Sequence, residues 1–137
     1  MINRLGDSLD FQSQALVLRS ERQRLLASNI ANADTPGYVA RDMDFAAALR
    51  DATGALSPGL AAVASLGTAL LGGFGASTET HLRYAAPSQS NLDGNSVDMD
   101  RERASFADNS VKYEATLRFI NGQVRTMLDA MKSPQQG

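Results

Sequence analysis

Residues 99–131 read MDRERASFADNSVKYEATLRFINGQVRTMLDAM, and the period of this stretch decides the fold. Steps of four and three from Met99 land on Arg103, Phe106, Ser110, Tyr113, Leu117, Ile120, Val124, Met127 and Met131. All of these except Arg103 and Ser110 are apolar, and the pattern holds for more than four heptads. Seven residues make close to two helical turns, so a seam of this period predicts a long helix built for coiled-coil packing. Ser96 or Asp98 can cap its start, and Asp98, Asp100 and Glu102 suit the positive end of the helix dipole. Lys132 falls in the last turn and Pro134 follows it, which is a sound stop. The C-terminal core helix is accordingly placed at 97–133.

The opposite end of the chain offers a second helix. Within residues 8–31, Leu9, Leu16, Leu26 and Ile30 lie near one stripe, with Phe11, Ala15, Leu18 and Leu25 on the next. Strong helix formers fill the gaps, and neither Gly nor Pro interrupts between Asp7 and Pro36. The N-terminal core helix and its end occupy residues 1–33, and the stop is written in NIANADTPGY, residues 29–38. Pro36 forces Thr35 out of helical geometry, so the helix ends before it. Thr35-Pro36-Gly37-Tyr38 suits a type II turn, with proline presetting the second position and glycine supplying positive φ at the third. Asn29, Asn32 and Asp34 can serve the last helical carbonyls or the amides of the turn. Tyr38 reads as exposed, and VARDMDFAAAL then returns to extended and afterwards helical composition.

Between the helices, residues 34–96 form a turn, an extended or looped region and an insertion rich in Ala and Gly. No charged residue occurs from Ala52 to Thr78. Pro58 and glycines at 59, 67, 72, 73 and 75 break this stretch, and large apolar side chains are too few for a membrane span. A loop is expected there. The fold class is thus mainly α: two long terminal helices pair as a coiled coil, with an irregular or short β-hairpin middle region. The first helix can cover only one side of the seam. The seam therefore requires further partners, most simply other subunits.

Composition removes several function classes. At 137 residues the chain holds one ordinary domain, here discontinuous, with the core drawn from both ends. A net charge of -2 and a pI near 5.3 give no basic footprint for nucleic acid. The absence of cysteine removes disulfides, thiolate zinc sites and thiol nucleophiles. The segment MINRLGDSLDF carries Arg4, Asp7 and Asp10 and no apolar core, unlike a Sec signal peptide. His81 is the lone histidine; no strained turn around a serine accompanies it, so it reads as a solvated loop residue. The glycines match no dinucleotide fingerprint or phosphate loop. Asn91, Asp93, Asn95 and Glu102 fall on liganding positions of a calcium loop, but Asn91, Ser96 and Asp98 stand where Asp, Gly and an apolar residue are needed. No catalytic residue, cofactor, metal ion or small-molecule substrate is expected.

NIANADTPGYVARDMDF resembles the N-terminal signature of the bacterial flagellar rod and hook proteins. The later segment GNSVDMDRERASFADNSVKYEATLRFINGQVRTMLDAM is similar to the C-terminal region of the proximal rod members in particular. Together the likenesses cover residues 5–50 and 84–132, in the right order. Val39 stands where that family often has lysine, and the uncharged middle matches no family motif.

The resemblance implies that the terminal helices pair as the inner core of an axial protein, with many copies packed in a helical array. It implies a structural subunit of the proximal rod of the flagellar basal body, part of the drive shaft that carries torque from motor to hook and filament. Its partners would be the other rod subunits and the junction protein between rod and membrane ring. Delivery would be by the flagellar type III export apparatus, without a cleaved signal. The motif residues Asn29, Ile30, Asn32, Thr35, Pro36, Gly37 and Tyr38 would then link the first helix to a region touching neighbouring subunits. The alternative class is a soluble coiled-coil adaptor or export chaperone, which would form a discrete dimer or tetramer. A hydrolase using His81 is a third.

Overall fold

The computed structural model describes residues 2–54, 81–84 and 92–132. Along them run α1 (Ile2–Ala31), β1 (Arg41–Met43), α2 (Phe45–Gly54), β2 (Leu82–Tyr84) and α3 (Met99–Lys132). The chain is mainly α, with two long terminal helices and a small two-stranded antiparallel sheet between them. α1 and α3 lie side by side and antiparallel, since Ser8 meets Gln123, Gln23 meets Asn109 and Asn29 meets Glu102.

α1 starts well before residue 8 and runs through Gly6. A glycine inside a helix costs about 1 kcal/mol relative to alanine, which weakens a helix without ending it. The start of α3 is capped by Asp98, whose Oδ1 accepts the Arg101 amide at 3.2 Å. Ser96, the other candidate cap, serves elsewhere: its Oγ accepts the Ala40 amide at 2.8 Å. Asp44 caps α2 through the Ala47 amide at 3.1 Å, and that bond holds its carboxyl below the ordinary range.

The chain returns after the insertion to pair β2 with β1, in the register Arg41↔Tyr84, Asp42↔Arg83 and Met43↔Leu82. Arg83 reaches Asp44 at 2.7 Å. The same return corrects the reading of His81 as a solvated loop residue. Its side chain is only 15% exposed and its Nε2 lies 2.9 Å from Asp51 Oδ2 on α2. Strand pairing, invisible in the local sequence, carries it there. The expectation of a loop within residues 52–78 meets the last turn of α2 at its start; residues 55–80 lie outside the described residues.

The core sits where α1, β1 and α2 converge. Leu18, Met43 and Ala48 are buried there, with Leu25, Phe45, Leu49 and Ala52 packed around them. The Arg19 guanidinium lies 4.4 Å from the Phe45 ring centroid, and Arg22 pairs with Asp42 at 3.2 Å. One side of α1 is thus filled by the sheet and α2, and another by α3.

Candidate subunit interface

The NIANADTPGY segment is the structural centre of one end of the helix pair. Asn29 is fully buried and its amide group is saturated. Its Nδ2 donates to the Arg41 carbonyl at 2.7 Å and to Glu102 Oε2 at 3.1 Å. Its Oδ1 accepts the Arg41 amide at 3.1 Å and the Tyr38 hydroxyl at 3.2 Å. One side chain therefore mimics a strand neighbour for Arg41 while gripping α3. Tyr38, expected to be exposed, is half-buried because its hydroxyl reaches back to Asn29. Asn32 closes the helix, with Nδ2 donating to the Ser28 carbonyl at 2.8 Å and Oδ1 accepting the Thr35 hydroxyl at 3.2 Å. The turn follows: Tyr38 N donates to the Thr35 carbonyl at 3.2 Å, and Gly37 has φ +73°.

A second segment, residues 93–97, locks onto this turn. Asn95 Nδ2 donates to the carbonyls of Asn32 at 2.9 Å and of Ala33 and Thr35 at 2.8 Å. Those carbonyls belong to the turn that follows α1, beyond its last residue Ala31. Asn95 Oδ1 accepts the Val97 amide at 2.8 Å. Backbone bonds flank it, from Gly37 N to the Asp93 carbonyl at 2.8 Å and from Ser96 N to the Tyr38 carbonyl at 3.0 Å. The two segments form a clasp. Sequence reasoning missed Asn95 in this role, because its partners are backbone atoms some sixty residues away. The available signal was the pairing of two asparagine- and glycine-bearing segments at the inner ends of two helices.

The clasp also accounts for the acidic residues that resemble a calcium loop. Asn95 Nδ2 faces carbonyls, Asp93 Oδ1 accepts the Asn95 amide at 3.2 Å, and Glu102 faces Asn29; Asn91 lies outside the described residues. Among the described residues no group of three or more His, Asp or Glu side chains could hold a metal ion. Burial pushes the Glu102 carboxyl above its ordinary range; the Asn29 hydrogen bond opposes this and nearby Asp42 and Asp98 add to it.

Along α3 the heptad pattern divides into two columns. Met99, Phe106, Tyr113, Ile120 and Met127 are half-buried at the edge of the contact with α1. Leu117 at 36%, Val124 at 38% and Met131 at 71% exposure form the more open column, whose Ser110 still meets α1 by accepting from Gln23 Nε2 at 2.7 Å. Beside Phe106 and Tyr113, Ser20, Gln23, Arg24 and Ala27 of α1 complete an open groove. Of the motif residues, Asn29 is internal, Ile30, Asn32 and Tyr38 are half-buried, and Thr35, Pro36 and Gly37 are exposed. No helix among the described residues is long and apolar enough to cross a membrane.

These features define a scaffold class: two terminal helices laid antiparallel, clasped at one end and apolar along one free edge. Residues 9–38 match the family model described as "Flagella basal body rod protein". The chain is 46% identical to the flagellar basal body rod protein FlgB of Proteus mirabilis (strain HI4320) over an alignment 142 positions long, covering the whole of both chains. It is 44% identical to the FlgB proteins of Escherichia coli (strain K12) and Salmonella typhimurium (strain LT2), over 97% and 96% of its length and 99% and 98% of theirs. The chain belongs to the FlgB family of flagellar basal body rod proteins.

Proposed function

We propose that this chain packs in a helical array with copies of itself and with other rod subunits, as part of the drive shaft that transmits torque from motor to hook. One observation carries the proposal. In a member of a rod family, α3 keeps Leu117, Val124 and Met131 outside its own helix pair. An apolar edge of this kind is a surface for other chains. The exposed Thr35, Pro36 and Gly37 present the clasp to a neighbour in the same array, while Asn29 and Asn32 hold its shape from within. The junction protein between rod and membrane ring is a further partner, and the flagellar type III apparatus delivers the chain to the periplasm-spanning rod. No catalytic step belongs to this reading, and His81 has a structural partner in Asp51. The test is deletion of the gene followed by electron microscopy and a swimming assay. Loss of rod, hook and filament, restored by the wild-type gene, is expected. Flagellated, swimming cells would contradict the proposal and favour a discrete coiled-coil adaptor.

A further inference from the structure

α3 carries two overlapping heptad seams, and the more polar one faces inward. Glu102, Asn109 and Thr116 are its buried residues, and Gln123 continues them at the same spacing. The next residue in sequence after each of the last two is apolar and exposed: Leu117 after Thr116, Val124 after Gln123. Neighbouring residues differ by about 100° around a helix. Turning α3 by one residue's step would bring Leu117, Val124 and Met131 inward, with Arg103 and Ser110 at the other end of their column, and expose the polar one. Burial of apolar surface alone favours that turned arrangement.

Hydrogen bonds to α1 hold the observed arrangement instead. Glu102 accepts from Asn29 at 3.1 Å, Asn109 Nδ2 donates to the Arg19 carbonyl at 2.9 Å and to Gln23 Oε1 at 2.7 Å, and Gln123 Nε2 donates to Ser8 Oγ at 2.6 Å. All fall in one antiparallel register. They are not an optimum for stability, because among the described residues nothing donates to the buried Asn109 Oδ1 and Gln123 Oε1. Polar residues at coiled-coil core positions are known to select one arrangement at a cost in stability.

We propose that the polar ladder Glu102, Asn109 and Gln123 is a facing key: it sets the rotation of α3 against α1 and so keeps Leu117, Val124 and Met131 outside the helix pair. The key acts within one chain, whatever later covers that column.

The chain has no cysteine, so single cysteines can report on the facing in the purified full-length protein. With the ladder intact, Val124→Cys reacts readily with a maleimide and Thr116→Cys slowly. In the Asn109→Leu/Gln123→Leu background the two should move in opposite directions, Val124→Cys several-fold slower and Thr116→Cys several-fold faster. Unchanged rates for both overturn the proposal. If both rise, the pair has come apart, and adding Leu117→Gln/Met131→Gln decides the case. Renewed protection of Thr116→Cys supports the key, because the competing apolar column is gone; continued reactivity overturns it.

Discussion

Gly94 faces Gly37 across the clasp, and a Cβ added to Gly94 would stand 3.7 Å from the Gly37 Cα. That is ordinary contact, so space does not demand glycine at either position. Backbone geometry does: φ is +74° at Gly94 and +73° at Gly37. The bond from Gly37 N to the Asp93 carbonyl ties the two turns together.

Gly37→Ala and Gly94→Ala should therefore each destabilise the chain by about 1–2 kcal/mol, the cost of an L-residue in the left-handed region. Gly37→Val should cost more, since branching at Cβ tightens the restriction. Urea denaturation of the full chain reads the difference; an unchanged midpoint would refute the turn geometry.

Asn95 feeds three carbonyls with one amide nitrogen. Asn95→Asp removes that donor and sets a carboxylate against the same oxygens, so the loss should reach about 3 kcal/mol. Asn95→Ala should cost less, because it brings no charge. Equal stability of the aspartate and asparagine forms would mean the clasp contributes nothing.

Glu102 gives the fold a pH dependence of known sign. Its carboxyl binds a proton more readily folded than unfolded, so its contribution is full below its ordinary value of 4.5 and is lost as pH rises through the elevated value. Glu102→Gln keeps an oxygen for Asn29 and removes the titration. The stability of Glu102→Gln relative to the wild type should rise from pH 4 to pH 7, measured by thermal unfolding at each pH. The comparison cancels Asp44 and Asp108, whose carboxyls are held low by the Ala47 amide and by Lys112 and act in the opposite sense. A difference independent of pH would show that Glu102 is not held in a desolvated site.

Two neighbouring seam residues should separate folding from assembly. Ile120 is half-buried beside α1, so Ile120→Asp should cost the isolated chain about 2 kcal/mol or more. Leu117 is more exposed, so Leu117→Asp should cost less, about 1 kcal/mol. Denaturation midpoints of the two variants check the ordering.

What could be read from the residues, and what could not, divides by range. The helices, the stop at Thr35-Pro36-Gly37-Tyr38 and the return to extended and helical structure after it depend on local propensity, proline geometry and period. Those signals lie within a few residues of what they specify. The heptad of α3 was equally plain, but not which of its faces goes inward. Asn109 and Thr116 are polar and so fall outside any apolar count, yet the partner of Asn109 on α1 places it in the interior. Asn95 and His81 were misjudged for the same reason: their meaning resides in Thr35 and Asp51, which only the folded chain brings near.

In the proposed array the open column of α3 builds the rod, while the helix pair folds within one chain. Electron microscopy of basal bodies from cells carrying only Leu117→Asp tests it most directly. The expected result is cells that make a stable, helical protein and yet lack the rod, hook and filament. Complete rods in those cells would contradict it.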